Sequence, residues 1–296
     1  MIKIALIGAG GFILSNLIRS LLYKKEQYNI VSIDKFQDER QLNNIYINKG
    51  NKFYIADVGD THIIRRIFQI ERPDIVINGS CSGCVQSILD NESLINVSKE
   101  IGVSKFVFLS HYNVYGSTLK HSAPTEDENL LLNNLYNISF STCEQLVNIS
   151  GLDYLILRLC DNIGSRQRHG IVPQIIQNIN KEVKTKLSKN IDNHEFIHVT
   201  DTCDAISLLL DLEKEGIYNI SSSYEFSLPE LYTEICNVMG KGHDLVEYFD
   251  DKKSVRYVCS SDKLKKECNW ELTFKFKDAV KASVQWYLDN AWFLRE

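Results

Sequence analysis

The chain has 296 residues, 44% of them hydrophobic, and a formal charge of −5. It is long enough to bury one large core or two unequal ones, and with lysine and glutamate interspersed it offers no basic stripe for nucleic acid. Its longest apolar runs, such as DYLILRL, fall far short of the ~20 residues that span a bilayer, so no membrane association is expected.

The opening KIALIG runs straight into glycines without a cleavage pattern, and reads as a strand rather than a signal peptide. The eight cysteines lack disulfide-framework spacing and are expected to be reduced thiols of a cytoplasmic protein. Cys81 and Cys84 form the one CxxC. Without a second pair or a histidine at ligand spacing it is weak support for metal or redox use, and no metal site is expected.

After KIALIG come the turn GAGGFILSN, a helix to about Tyr23, and the strand NIVSID ending on Asp34. A glycine-rich turn between strand and helix, with an acidic residue closing the next strand, is the dinucleotide-binding arrangement. Gly8 and Gly11 let the backbone approach a pyrophosphate, Phe12 and Ile13 open the helix with N–H groups aimed at it, and Asp34 accepts from a ribose hydroxyl. The charge on Asp34 would repel a 2′-phosphate and so predicts NAD. The third glycine position is Leu14, which either pushes the helix away from the strand or fills a gap. A parallel-sheet turn that binds nothing stands as the alternative.

Strand KFYIAD ends on Asp57 and Val58, and Asp57 reads equally as the cap of a helix beginning near Thr61. DIVINGS, a crossover segment SCSGCVQSILDNESLINVSKEIGVS and the buried strand KFVFLS follow, and the alternation argues a doubly wound parallel sheet. HYNVYG then leads to the amphipathic helix LYNISFSTCEQLVNI, which carries Tyr136 near its start. Further on come the strand DYLILRL, the turn CDNIGSRQRHG, the strand FIHV with Thr200-Asp201 as helix N-cap, and a run of helices closing on KFKDAVKASVQWYLDNAWFL.

VYG at 114–116, EQLV at 144–147, the R-x-x-x-x-x-G turn from Arg158, the RY…D..K….W rhythm and the tail WYLDNAWF together resemble the extended short-chain dehydrogenase/reductases, and in particular the dTDP-glucose 4,6-dehydratases. The resemblance implies an α/β fold with a Rossmann-type doubly wound parallel sheet in residues 1–160. It also implies a smaller C-terminal α/β substrate domain in 161–296, with the chain crossing between them. It gives Asp57 and Val58 to the adenine and Tyr136 the place of the catalytic tyrosine. The expected ligands are NAD and a nucleotide-sugar. In the family the crossover helix lines the nicotinamide side and forms part of a homodimer interface; it is shorter here, which weakens the expectation of both.

Departures cluster at the site. Phe140 holds the lysine position, His111 the Ser/Thr position, and Tyr112 and Asn113 replace an Asp-Glu pair. Gly83 and Gln86 stand where a histidine and an arginine are usual. Asp161 replaces the asparagine that grips the diphosphate, with Asn162 beside it, while Gly170 and His194 replace a lysine and an arginine. Arg256 remains as a diphosphate contact. A tyrosine of ordinary pKa is ionised to roughly one part in a thousand at pH 7, and Phe140 supplies no cation to improve on that.

Framework positions have kept their character while contact positions have changed, which predicts an NAD-binding, 4,6-dehydratase-like protein with its dehydration weak or lost: a pseudoenzyme, or a lyase if active. One alternative is a working nucleotide-sugar oxidoreductase or epimerase using Tyr136 with His111 as proton relay or substitute cation. The other is an interaction protein without cofactor.

Overall fold

In a computed structural model, residues 1–24, 28–36, 39–116, 122–188, 193–249 and 256–294 are described. The first half alternates strand and helix: β1 Ile2–Ile7, α1 Phe12–Lys24, β2 Tyr28–Asp34, β3 Asn51–Ile55, α2 Thr61–Glu71, β4 Ile75–Asn78, α3 Val85–Ile101, β5 Lys105–His111, α4 Leu135–Asn148 and β6 Asp153–Leu159. Then follow β7 Asp161–Ile163, α5 Ile171–Asn180, β8 Thr185–Ser188, β9 Asn193–His198, α6 Val199–Asp211 and β10 Gly216–Ile220. The chain closes with β11 Glu225–Phe226, α7 Leu228–Met239, β12 Val246–Phe249, β13 Arg256–Tyr257, α8 Asp262–Cys268 and α9 Phe276–Asp289. The final helix is shorter than its sequence pattern suggests, because it stops at Asp289 and a 3-10 turn, Ala291–Leu294, follows.

Seven parallel strands form the large sheet in the order β10-β6-β5-β4-β1-β2-β3. Its central strands are near-continuous apolar runs because helices cover both faces: α1 packs with α6, while α2, α3 and α4 pack in succession. Strand order reverses between β1 and β4, and the crevice beyond the carboxyl ends of those strands is where α/β sheets take ligands. A second apolar core gathers Ile176, Leu231 and Val284 from α5, α7 and α9, beside a small sheet in which β9 pairs with β7, β11 and β13. Among the described residues, no helix is long and apolar enough to cross a membrane.

Two helix starts differ from their sequence reading. Asp60, not Asp57, caps α2, its carboxylate accepting from Ile63 N. For α6 the cap is His198 instead of Thr200: Nδ1 accepts from Thr200 N at 3.3 Å, while Asp201 is buried and accepts from the N–H groups of Thr273 and Phe274. An imidazole as cap has no short-range signature, since it works here through tertiary burial against Phe274, 4.2 Å between ring centroids.

Burial lowers the pKa of His198 from 6.5 to about 4. A folded-state pKa below the unfolded one gives stability that is complete above pH 6.5 and lost as pH falls towards 4, on the order of 3 kcal/mol in all. Glu195, fully buried on β9 and raised by that burial to about 7, opposes this, since its contribution is lost as pH rises. Urea unfolding of wild type and His198→Asn therefore isolates the histidine: the stability gap should shrink by that amount between pH 7 and pH 4. A constant gap would remove the assignment.

Candidate functional site

Two cavities meet at the switch point and share Gly8, Gly11 and Gly79 in their walls. The first, about 370 Å³, is bounded by Asp34, Ala56, Asp57, Val58 and Ser80. Gly8 is left-handed (φ +85), and a Cβ there would lie 3.1 Å from the Gly79 carbonyl oxygen; one on Gly11 would lie 3.0 Å from that of Gly8. The turn is thus a close-packed backbone cradle in which side chains do not fit. Phe12 and Ile13 open α1, and the first N–H groups of a helix have no carbonyl partner within it. Both residues line the second cavity.

Asp34 is buried at the end of β2, where its carboxylate accepts from Gly10 N at 2.9 Å and Phe36 N at 2.8 Å. Asp57 is exposed, accepts from Gly59 N and pairs with Lys35 at 3.2 Å, and these contacts hold its carboxyl below the usual range. Cradle, helix N-terminus and carboxylate form the donor and acceptor set that fits the adenosine and pyrophosphate of a dinucleotide. Leu14 fills a gap rather than displacing the helix: it is buried, and its Cδ1 occupies the space a Cβ on Gly79 would need, 2.9 Å away. The volume missing at Gly79 compensates for the volume added at Leu14.

Pattern reading missed Asn44, which is buried and donates to the Gly10 carbonyl at 2.9 Å from the end of a short 3-10 helix, Glu39–Asn44. It likewise missed Asp90, which accepts from Gln86 at 2.7 Å on the wall of the first cavity.

The second cavity, about 480 Å³, brings His111, Tyr136, Phe140, Asp161 and Asn162 together. Tyr136 and Phe140 stand one turn apart on α4 with ring centroids 4.7 Å apart, and Phe140 is only 5% exposed. Among the described residues the Tyr136 hydroxyl has no hydrogen-bond partner, and burial, then the charges of Asp161 and Cys81, push its pKa well above that of an ordinary phenol. Its ring covers Gly83, where a Cβ would approach Cδ2 to 2.3 Å. A side chain at position 83 and this tyrosine rotamer exclude each other.

His111 lies edge-on to Tyr136, centroids 5.7 Å apart. Its Nδ1 accepts from Asn113 N at 3.2 Å, which leaves Nε2 as the donor facing Asp161 Oδ1 at 3.5 Å. Asp161 also accepts from the Tyr112 hydroxyl at 3.1 Å. Burial opposes its charge, but these contacts hold its carboxyl below the usual range. As cap acceptor, the imidazole must give up the Asn113 bond to become a cation.

The Asn162 amide is engaged from both ends, donating to the Cys160 carbonyl at 2.8 Å and accepting from the Thr202 hydroxyl at 2.6 Å. His194 stacks on Phe196 in β9. Arg256 begins β13, and its side chain lies outside the described residues.

The model of the NAD dependent epimerase/dehydratase family matches residues 4–221. The chain belongs to this family. Within it, the dTDP-D-glucose 4,6-dehydratase of Bos taurus is 26% identical over 322 residues, spanning 97% of this chain and 89% of the relative. The low-salt glycan biosynthesis protein Agl12 of Haloferax volcanii is 26% identical, covering 96% and 97%. Among solved structures, dTDP-glucose 4,6-dehydratase from Bacillus anthracis in complex with NAD superposes with a TM-score of 0.91 at 23% identity, covering 99% and 98%. DesIV, the dTDP-glucose 4,6-dehydratase of Streptomyces venezuelae with NAD and TYD bound, gives 0.88 at 21%, covering 98% of each chain. The epimerase/dehydratase fold is thus retained across the described residues.

Proposed function

We propose that this protein is an NAD-binding, nucleotide-sugar 4,6-dehydratase-like member of the family whose dehydration chemistry is lost or very weak. The observation that carries this reading is the Phe140 ring packed on Tyr136, where the resemblance places a lysine. NAD, when bound, supplies a hydride acceptor. The residues fitted to hold it are Gly8, Gly11, Phe12 and Ile13 at the pyrophosphate, Asp34 at the adenosine ribose, and Asp57 and Val58 at the adenine. Asn162 and Arg256 are the proposed contacts to a sugar nucleotide. Solved family structures described with NAD, and curated relatives that are dTDP-glucose 4,6-dehydratases over nearly their full length, support the ligand classes. Exposed Val85 and Leu89 on α3, with Leu135 and Ile138 on α4, favour a homodimer through those helices.

Native mass spectrometry is expected to show NAD on the protein, lost in Asp34→Ala, with no turnover of a dTDP- or UDP-hexose. Absence of NAD even when it is supplied would leave only a non-catalytic interaction protein. The pairing of His111 with Asp161 beside Tyr136 favours a second reading, an oxidoreductase or epimerase using both. Turnover that disappears in Tyr136→Phe would establish it at the expense of the first.

A further inference from the structure

The wall of the second cavity carries fixed charge of one sign. Among the described residues that line it there is no lysine or arginine, and Asp161 is the only carboxylate. At the start of β7 this side chain keeps 41% of its surface accessible. Burial works against its ionisation, but the contacts from His111 and Tyr112, reinforced by His194, keep the carboxyl ionised at neutral pH. Neither contact cancels the charge. The Tyr112 hydroxyl is neutral, and His111, whose Nδ1 accepts from Asn113 N, holds a single proton on Nε2.

A second acceptor stands open in the same wall. Gln167 donates through Nε2 to the Asn162 carbonyl at 3.0 Å, which fixes the orientation of its amide, and Oε1 is buried without a hydrogen-bond partner among the described residues. The turn that carries it is held in place by the Tyr287 hydroxyl, which donates to the Gln167 carbonyl at 2.6 Å. A buried acceptor is costly unless a donor meets it. A carboxylate and an amide oxygen, with no lysine or arginine beside them among the described residues, suit a ligand that brings N–H groups and positive charge.

We propose that the sugar taken by this cavity is an amino sugar, its protonated amine paired with Asp161 and a ring N–H or O–H donated to Gln167 Oε1. This substrate class rests on the nucleotide-sugar reading above and narrows it. A neutral hexose offers hydroxyl donors to the same oxygens but no opposite charge. An opposite charge within reach of an ionised group favours the charged form by roughly ten- to thousandfold, and the hydration lost by the ammonium takes back part of that. The same carboxylate repels a phosphate, so the diphosphate lies away from Asp161.

The full-length protein, in excess NAD at neutral pH, is titrated calorimetrically with UDP-glucosamine against UDP-glucose, and with dTDP-4-amino-4,6-dideoxyglucose against dTDP-6-deoxyglucose. The two pairs place the amine at different ring carbons. In at least one pair the amine is expected to bind about tenfold more tightly or better. Asp161→Asn, which keeps the shape of the side chain, is expected to abolish that preference while the hydroxyl sugar still binds. N-acetylation of the same amine, which removes the charge without altering the protein, is expected to abolish it too. Equal affinities in both pairs, tighter binding of the hydroxyl sugars, or a preference that survives either neutralisation would each overturn the amino-sugar assignment and leave the nucleotide-sugar reading standing. Binding of neither class would remove both.

Discussion

Phe140→Lys is expected to bring the titration of the Tyr136 phenol down by roughly one to three pH units, the effect of a cation within reach of an ionising group. The structure supplies the reason. Tyr136 is held above an ordinary phenol by burial and by the negative charges of Asp161 and Cys81, with no hydrogen bond to its oxygen among the described residues. A lysine stem can follow the apolar wall now formed by the Phe140 ring and raise its ammonium towards the cavity. Phenolate absorbance of Phe140→Lys, minus that of the same variant carrying Tyr136→Phe, reads the shift without interference from the other tyrosines. Ten- to thousandfold more phenolate at neutral pH would follow from such a change. An unmoved titration would show that position 140 does not address the Tyr136 oxygen, and with it the assignment of the lost lysine would fall.

Glu144→Ala is expected to destabilise the fold by about 3–5 kcal/mol, because it strands a buried guanidinium. Arg158, 3% exposed, holds the Glu144 carboxylate through Nη2 at 2.7 Å and Nε at 3.0 Å; Glu144 itself is 1% exposed and also accepts from the Ser110 hydroxyl at 2.5 Å. From the same guanidinium, Nη1 reaches the Tyr115 hydroxyl at 2.7 Å, which donates to Asn219 Oδ1 at 2.8 Å. One ion pair thereby joins α4, β5, β6 and β10 behind the second cavity. Replacing both partners with apolar residues, Glu144→Met with Arg158→Leu, should cost less than either single change, since no unpaired charge remains. Denaturant midpoints check both statements. A double variant weaker than Glu144→Ala would mean that the network contributes packing that apolar residues cannot reproduce.

These two sites explain why the fold could be read from the sequence more fully than the chemistry. Tyr115 and Glu144 belong to the VYG and EQLV segments that fix the register around Tyr136, and Arg158 heads the next recognisable turn. Their side chains are the ones joined in the buried network, so the motifs that survive are structural ones. Several residues of the cavity wall stand outside that network. Phe140, His111 and Asp161, and Gly83 beneath the Tyr136 ring, could change so long as their neighbours accommodated them, as Tyr136 does by covering Gly83 and Gly79 by yielding space to Leu14.

Apolar strand runs and the glycine turn determined, from sequence alone, a doubly wound parallel sheet with a close backbone turn after its first strand, and Asp34 pointed to a dinucleotide there. Those signals are local: burial on both faces of a parallel sheet requires continuous apolar strands, and a tight backbone approach requires glycine. Only the tertiary structure decided that Leu14 fills a gap, that His198 and Asp60 are the caps, and that His111 spends its Nδ1 on Asn113. Each depends on contacts between segments distant in sequence or on the direction of one side chain, and the spacing of residue types along a chain encodes neither.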